Sequence, residues 1–194
     1  EMLSILSEKG FKSENIFPIA SSRSEGMKVS FGENEISVYS LEKFNPAEIQ
    51  IALFSAGGEI SKEWATQFAA AGCIVIDNSS HFRMDPDVPL IVPEVNADAL
   101  AGYKKKNIIA NPNCSTAQLL VALKPLHDIN TIKRVIVSTY QSGSGAGKEG
   151  MDELFNQSRQ FFANDVMDNV KVTKRITFNV IRHIANFRDD VYTK

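Results

Sequence analysis

The stretch "IQIALFSAGGEISKEWATQFAAAGCIVIDNSS", residues 49–80, decides the fold. Two continuous apolar runs flank a segment whose apolar side chains recur at helical spacing: Ile60, Trp64, Phe68 and Ala71. Two glycines end the first run, and Gly72 ends the helical segment. Because strands that are apolar on both faces here alternate with a helix, we predict an α/β protein with a doubly wound parallel sheet covered on both sides.

The residues before this stretch predict three further elements. A helix is expected in "EMLSILSEKG" (1–10), with Gly10 as its stop, and a strand in "NIFPIA" (15–20). The segments "KVSF" and "EISVYS" around Gly32 are typical of a hairpin.

The pattern changes beyond Cys114. We expect a helix from about Ser115 to His127, followed by four elements: a strand "RVIVSTYQ" (134–141), a loop "SGSGAGKEG" (142–150), a helix "MDELFNQSRQFF" (151–162) and a strand around "ITFNVI" (176–181). We therefore place a domain boundary near Asn113, which gives domains 1–113 and 114–194.

Composition excludes several classes of protein. The 194 residues are 43% hydrophobic with a formal net charge of −2, and no block of like charge is longer than Lys104 to Lys106. We therefore expect neither nucleic acid nor a membrane surface as partner, since both require an extended basic face. We expect no signal peptide and no disulfide framework from two cysteines, and no apolar run approaches the roughly 20 residues that span a bilayer. These features predict a reducing, cytoplasmic location.

Both ends of the sequence are abrupt. The first residues are predicted to be helical from the beginning and lack a start Met. The last residues, "DDVYTK" (189–194), end without a further predicted helix or strand. We therefore expect a fragment cut at both ends.

Polar residues follow four predicted strands: Ser21–Ser24, Ser55–Gly58, Asp77–Ser80 and Asn111–Cys114. In an open parallel sheet the ligand lies beyond the carboxyl ends of the strands. These segments are therefore the predicted ligand side of the sheet.

Cys114 lies where an apolar strand gives way to a helix, in "NIIANPNCSTAQLLVAL" (107–123). The first amide groups of a helix and its macrodipole stabilise a thiolate there, and the same amides can hold an oxyanion. Asn113 could add a side-chain donor, and one such donor contributes about 2.7 to 4 kcal/mol to catalysis. A structural cysteine at a helix cap is the alternative, and Cys73, which begins an apolar strand, is interpreted as a buried small hydrophobe.

The turn "SSRS" (21–24) lies at the end of the predicted second strand, where a dinucleotide-binding fold contacts the adenosine ribose. An acidic residue there would select NAD, whereas Ser22, Arg23 and Ser24 offer donors to a 2′-phosphate. The turn therefore predicts NADP, with an ordinary polar turn as the alternative.

Two further segments carry candidate substrate contacts. The glycine-rich loop fails the Walker pattern, because Ser142 replaces its first glycine and Glu149 its Ser or Thr. What remains is a loop with exposed amides after Gln141, whose side-chain amide could orient a substrate. Arg83, past a strand end, could grip phosphate or carboxylate in bidentate fashion. A plain loop and a surface arginine are the alternatives, and the three histidines show no metal-ligand spacing.

Seven segments in sequence order resemble the aspartate-semialdehyde dehydrogenase family: "SSRSEG", "ALFSAGG", "IVIDNSSHFRMD", "PLIVPEVN", "IIANPNCST", "VSTYQSGSGAGKE" and "FNVIRHI". The resemblance implies a Rossmann-like NADP-binding domain, followed by part of an α+β catalytic and dimerisation domain. It implies NADPH-dependent reductive dephosphorylation of aspartyl phosphate to aspartate semialdehyde, in a homodimer formed through the second domain.

The same resemblance implies a role for each candidate residue. Cys114 is the expected nucleophile that forms an acyl-enzyme thioester, and Asn113 with local amides holds the oxyanion. Gln141 is expected to position the substrate and Arg83 to bind its phosphate. The implied cofactor contacts are Ser22, Arg23, Ser24, Ser55, Ala56, Gly57, Asn78, Ser144 and Gly145.

The sequence departs from the family in three places. The glycine-rich phosphate turn of the family should precede Glu1, and its general-base histidine, with further basic residues, should follow Lys194. A polypeptide limited to these residues is therefore expected to bind NADP poorly and to turn over little. Arg182 stands where we expect the family to favour proline.

Three alternatives stay open. The acyl-phosphate reductase of arginine biosynthesis, which acts on N-acetylglutamyl phosphate, shares the fold and the thioester chemistry, although "NPNCST" favours the aspartyl enzyme. A non-catalytic paralogue that serves as a binding subunit would usually lose the nucleophile, which is retained here. A cysteine hydrolase would leave the NADP-like turn unexplained.

Overall fold

The computed structural model describes residues 1–165 and 174–181. The chain forms two compact units, Glu1–Lys133 and Arg134–Lys194, and each is described by itself. In the described ranges, every helix is too short or too polar to cross a membrane.

The strands are β1 (Ile19–Ala20), β2 (Lys28–Phe31), β3 (Asn34–Ser37), β4 (Tyr39–Ser40), β5 (Ile51–Phe54), β6 (Ile74–Asp77) and β7 (Ile108–Ala110). The α-helices are α1 (Met2–Glu8), α2 (Gly58–Ile60), α3 (Thr66–Ala70), α4 (Pro93–Asn96), α5 (Cys114–Ile129) and α6 (Gly147–Ala163). A π-helical segment, Ser61–Ala65, joins α2 to α3. Short 3-10 helices cover Ser13–Asn15, Ser22–Ser24, Pro46–Glu48, Ala97–Lys105 and Gly143–Ala146.

Strands β5, β6 and β7 form a parallel sheet in chain order, which confirms the α/β class. Parallel neighbours require crossover connections, and the helical segment from α2 to α3 supplies the first of them. Strands β1 and β4 form a second parallel pair, and β2 and β3 form the predicted hairpin around Gly32. The described residues therefore contribute two parallel sheets where the sequence predicted one.

The core of the first unit lies on one face of the β5–β6–β7 sheet. Ala52, Phe54 and Val75 are buried there and belong to the same apolar cluster as Phe68 of α3. On the opposite face Ile51 remains 58% exposed. Ile74, Ile76 and Ile109 on that same face are partly buried, so the described residues cover this face in part and agree with the predicted α/β class.

The second unit departs from two strand predictions. Residues 134–141 and the described segment 174–181 contain no strand. Their apolar side chains suit a strand, yet Ile136 is 80% exposed, and an isolated extended segment has no ladder partner to stabilise it. Tertiary pairing, which local propensity does not encode, decides these segments.

The predicted helix at 151–162 is α6, which begins earlier, at Gly147. Residues Gly147 to Gly150, predicted as loop, therefore form its first turn. Gln157, 1% exposed, accepts hydrogen bonds from the backbone amides of Ile176 (2.9 Å) and Thr177 (3.3 Å). This buried amide attaches the segment 174–181 to the helix.

Helix α5 runs from Cys114 to Ile129, close to the predicted range, and is part of the first compact unit. The compact units divide after Lys133, whereas our predicted boundary lies at Asn113. The boundary at Asn113 separates proposed functions and stays a prediction.

Candidate functional site

The carboxyl ends of β5, β6 and β7 meet at one edge of the sheet. The backbone amide of Asn78 donates to the carbonyl of Phe54 (2.9 Å), and that of Asn111 donates to the carbonyl of Asp77 (2.8 Å). This register places the segments that follow the three strands side by side. The structure confirms that these three predicted ligand segments share an edge. The fourth, Ser21–Ser24, follows β1 of the other parallel sheet.

Asp77 stabilises this edge of the sheet through buried hydrogen bonds. Its side chain is fully buried and accepts hydrogen bonds from the Ser61 hydroxyl (2.7 Å), the Ser79 hydroxyl (2.7 Å) and the Ser79 amide (3.0 Å). A buried carboxyl group is tolerated only where its oxygens are paired in this way. The network holds the turn around Asn78 against the helical segment that follows β5.

Arg83 lies over the ends of β6 and β7. Its Nε donates to the carbonyl of Asn111 (2.9 Å), and its Nη2 donates to the carbonyl of Asn78 (3.1 Å). The Nη1 group makes no hydrogen bond within residues 1–165 and 174–181, so one end of the guanidinium is available to an anion. Arg83 is thus held in place by the sheet edge itself.

Sequence reasoning overlooked the side chain of Asn111. Its Nδ2 donates to Oδ1 of Asn78 across 2.7 Å, although the two residues are 33 positions apart. The sequence did contain a signal for this contact, because each of the two residues is an asparagine directly after a buried parallel strand. We did not predict this contact, because the two residues are far apart in the sequence.

Cys114 is exposed and is the first residue of α5. Asn113 is the N-cap, and its Oδ1 accepts a hydrogen bond from the Ser115 amide (2.9 Å). Within the described part of the chain, the amides of Cys114 and Thr116 and the Asn113 Nδ2 group make no hydrogen bond, as expected at a helix start. These donors lie in the same first turn as Cys114, whose Sγ is 4.0 Å from Oδ1 of Asn113.

Cys73 differs from Cys114 in its exposure to solvent and in its place in the fold. It is fully buried, and burial raises the pKa of its thiol. Its membership of the apolar core confirms the prediction that it fills space.

The turn predicted to bind the adenosine phosphate is a short 3-10 helix, Ser22–Ser24, with Arg23 exposed. An acidic group lies against it. Hydrogen bonds from the Ser40 hydroxyl (2.6 Å) and from backbone amides, including that of Ser22, hold the pKa of Glu42 below its ordinary value. The turn therefore offers the predicted donors beside the Glu42 carboxylate and beside Glu25, which pairs with Lys43 (2.7 Å).

In the second unit, Gln141 packs on the loop that follows it. A Cβ built on Gly145 would lie 2.6 Å from Cδ and 2.8 Å from Cγ of Gln141, so a larger residue there would displace this exposed side chain. The Ser142 hydroxyl accepts from the Ser144 amide (3.2 Å) and lies 2.6 Å from the Ser144 hydroxyl. The loop is thus ordered around the Gln141 side chain.

The histidines supply no metal centre in the described ranges, where no three His, Cys, Asp or Glu side chains cluster. His127 accepts a hydrogen bond from the Ile132 amide through Nδ1 (3.2 Å), and His81 contacts the Phe82 ring edge to face. His183 and Arg182 lie outside the described residues.

Comparison with known families gives two matches. The profile of the semialdehyde dehydrogenase NAD binding domain matches residues 1–103. The profile of the semialdehyde dehydrogenase dimerisation domain matches residues 123–194. Together the two profiles cover most of the chain.

Comparison with curated relatives gives the same family. The chain is 49% identical over 193 residues to aspartate-semialdehyde dehydrogenase 2 of Vibrio cholerae and covers 57% of it. It is 51% identical over 194 residues to aspartate-semialdehyde dehydrogenase of Aquifex aeolicus, again covering 57% of that relative. The chain therefore spans a little over half the length of these relatives.

Solved structures match as well. Aspartate semialdehyde dehydrogenase II from Vibrio cholerae, complexed with ASA, superposes with a TM-score of 0.95 at 49% identity, over 100% of this chain and 57% of that one. Aspartate semialdehyde dehydrogenase with NADP from Candida albicans gives a TM-score of 0.53 at 28% identity, over 67% of this chain and 43% of that one.

Proposed function

Because the chain belongs to the semialdehyde dehydrogenase family, we propose that the protein containing it is an aspartate-semialdehyde dehydrogenase. The reaction is the NADPH-dependent reductive dephosphorylation of L-aspartyl 4-phosphate to L-aspartate 4-semialdehyde, on the route to lysine, threonine, methionine and diaminopimelate. The observation that carries the proposal is the exposed Cys114 as the first residue of α5, directly after the N-cap Asn113. The names of the curated relatives support the substrate.

In the proposed mechanism, the Cys114 thiolate attacks the acyl carbon of aspartyl phosphate. The amides at the start of α5 and the Asn113 Nδ2 group stabilise the negative oxygen of the tetrahedral intermediate. Arg83 binds the phosphate, which leaves as the thioester forms on Cys114, and Gln141 orients the substrate. Reduction of the thioester carbon and release of the sulfur then yield the aldehyde.

The exposed strand ends suit a dinucleotide. Gly57 adopts a φ of +93°, a conformation that favours glycine, and is the N-cap of α2 without a side-chain hydrogen bond. Ser55, Ala56, Gly57 and Asn78 would hold the cofactor along this edge, and Ser22, Arg23 and Ser24 its adenosine phosphate. We also assign Ser144 and Gly145 of the second unit to cofactor binding. When bound, NADPH supplies the hydride.

The strand order supports the same architecture. In the six-stranded order 3-2-1-4-5-6 of dinucleotide-binding folds, β4 and β1 correspond to positions 3 and 2, and β5, β6 and β7 to positions 4, 5 and 6. We place the NADP-binding domain at 1–113 and the catalytic and dimerisation domain at 114–194. The latter would form a homodimer in the cytoplasm, and the isolated 194 residues would turn over little.

Two alternative functions can be distinguished from this proposal by experiment. An N-acetylglutamyl-phosphate reductase would use the same nucleophile on a different acyl phosphate, and a non-catalytic paralogue would bind ligands without turnover. Retention of Cys114 in an exposed position argues against the second alternative.

The test is a phosphate-dependent NADP reduction assay on the complete protein, with aspartate semialdehyde as substrate and its Cys114→Ser variant as control. We expect activity that the variant lacks. Acetylglutamate semialdehyde in place of aspartate semialdehyde distinguishes the arginine-pathway enzyme. Absence of activity with both substrates would favour the binding subunit.

A further inference from the structure

Asn111 makes two different contacts at the sheet edge. Its backbone carbonyl accepts the Nε–H of Arg83 (2.9 Å), and its side-chain amide donates to Oδ1 of Asn78 (2.7 Å). Asn78 in turn accepts Nη2–H of Arg83 through its backbone carbonyl (3.1 Å). The three residues therefore form a closed ring of hydrogen bonds, which we name the strand-end ring.

The ring determines where the guanidinium points. Arg83 has five N–H donors in a rigid plane, and two of them are directed at carbonyls carried by two separate strand ends. The side-chain bond from Asn111 to Asn78 links the residues after those two strands, next to the backbone bond from the Asn111 amide to the Asp77 carbonyl (2.8 Å). If this bond is lost, the backbone ladder keeps β6 and β7 paired. The turn that carries the Asn78 carbonyl then loses its side-chain link to Asn111, and the free end of the guanidinium is held less firmly in one direction.

The ring also connects two proposed ligand sites. Asn78 is exposed on the edge assigned to the cofactor, whereas Arg83 is assigned to the phosphate that enters or leaves with the acyl group. A ligand that orders the residues of one site therefore also orders the residues of the other site. Two ligands that share such an element influence each other's affinity reciprocally.

We propose that Asn111 is a positioning residue that couples phosphate binding at Arg83 to dinucleotide binding at Asn78. The inference rests on the proposed function for the identity of the two ligands. Asn111 itself need not contact either of them. Its side chain acts through Asn78, and its backbone acts through Arg83.

The test measures binding, not turnover, in the complete protein. Calorimetry gives the Kd of inorganic phosphate with and without saturating NADP, for the natural protein and for Asn111→Ala. One hydrogen bond corresponds to a change in affinity of roughly 2- to 12-fold. We expect NADP to tighten phosphate binding by a factor in this range in the natural protein, and by almost nothing in the variant.

A matched control separates this role from simple stability. Asn96→Ala also removes an amide with two hydrogen bonds, at 2.9 Å from the Val92 amide and 2.9 Å to the Leu90 carbonyl, but outside the strand-end ring. We expect it to leave the coupling factor unchanged. In the activity assay, Asn111→Ala should raise the KM for phosphate and leave kcat within about twofold, since the groups around Cys114 are intact.

Asn78→Ala provides a second variant if Asn111→Ala does not fold, because it cuts the same bond from the other side. The double variant should lose no more coupling than either single variant. Equal coupling in the natural protein and the variants, or no coupling in the natural protein, would overturn the inference. A protein that binds both ligands without turning over aspartate semialdehyde would refute the proposed function and still decide the role of Asn111.

Discussion

The Ser61 hydroxyl donates a hydrogen bond to the Asp77 carboxyl group across 2.7 Å, and neither side chain is accessible to solvent. Ser61 begins the π-helical segment after β5, and Asp77 is the last residue of β6. The contact joins the two strand-end turns that we assign to the cofactor.

Replacement of Ser61 by alanine should therefore destabilise the complete protein. It removes one of the two hydrogen bonds to Oδ1 of the buried Asp77, which keeps the bond from the Ser79 amide, at a cost of about 0.5 to 1.5 kcal/mol. Thermal unfolding measures the effect. Ser4→Ala, which removes an exposed hydrogen bond to Glu8 (3.1 Å), serves as the control and should cost less than about 0.5 kcal/mol. Equal losses in the two variants would show that the buried contact contributes nothing special.

The two cysteines should react at very different rates. Iodoacetamide is expected to alkylate Cys114 in the native protein, whereas Cys73 is fully buried and burial raises the pKa of its thiol. Because Cys73 reacts only after local opening, its rate should be lower by about two orders of magnitude. Peptide mass mapping with and without denaturant measures both rates. Labelling of Cys73 in native Cys114→Ser at the rate of Cys114 would contradict the structure.

Gly145→Ala should displace the Gln141 side chain. The added methyl group would lie 2.8 Å from Cγ of Gln141, which is too close to keep the amide in place. Misplacement of a substrate-orienting group by about 1 Å can lower the rate 100-fold. We expect kcat to fall by at least about tenfold, with a smaller change in the KM for NADP.

The matched control for this change is Gly102→Ala, whose new Cβ would make ordinary contact with Pro89 at 3.7 Å. Its kcat should stay that of the natural protein. A Gly145→Ala protein that loses only NADP affinity would assign Gly145 to cofactor contact without a role in placing Gln141.

Glu42→Gln should increase the preference for NADP over NAD. Glu42 is held by the Ser40 hydroxyl and by the Ser22 amide, beside the turn that we assign to the 2′-phosphate. Glutamine keeps an acceptor and removes a negative charge, so the ratio of kcat/KM for the two cofactors should rise roughly threefold. Glu33→Gln, in the turn between β2 and β3, provides an equal change of charge away from the site. An unchanged ratio in Glu42→Gln would place the phosphate elsewhere.

The Asp85–Lys106 ion pair should contribute stability only between two pH limits. Hydrogen bonding from Lys106 (2.7 Å) and from the Asp87 amide holds the pKa of Asp85 below its ordinary 3.8, and hydrogen bonding to Asp85 raises the pKa of Lys106 above 10.5. A lowered acid pKa stabilises above the unfolded value and is lost as pH falls through the folded value. A raised base pKa stabilises below the unfolded value and is lost as pH rises through the folded one.

The difference in Tm between the natural protein and Lys106→Ala should therefore be constant from about pH 5 to 9 and shrink on either side. Thermal scans across this range provide the measurement. Lys9→Ala, which removes a lysine without an ion pair in the described part of the chain, should show no such plateau. A Tm difference that persists below pH 3 would point to packing by the lysine stem.

The strands and helices that follow from local pattern were predictable. Residues 49–80 carry both the apolar period of two buried strands and that of the helix between them, and β5, β6 and the intervening helix appear there. The segments 134–141 and 174–181 were not predictable, because a strand exists only where a partner offers its backbone groups.

The position of Cys114 at the start of α5 also follows from the sequence by itself, because Asn113 is a strong N-cap and an apolar strand ends just before it. What only the tertiary structure decided is which groups surround Arg83 and which side chain pairs with Asp77. Asn111 and Asn78 meet because β6 and β7 are paired in one register, and Ser61 meets Asp77 because the crossover helix packs over β6. Periodicity and capping act over a few residues, whereas hydrogen bonds between strand ends depend on register, which the chain acquires only when its strands pair.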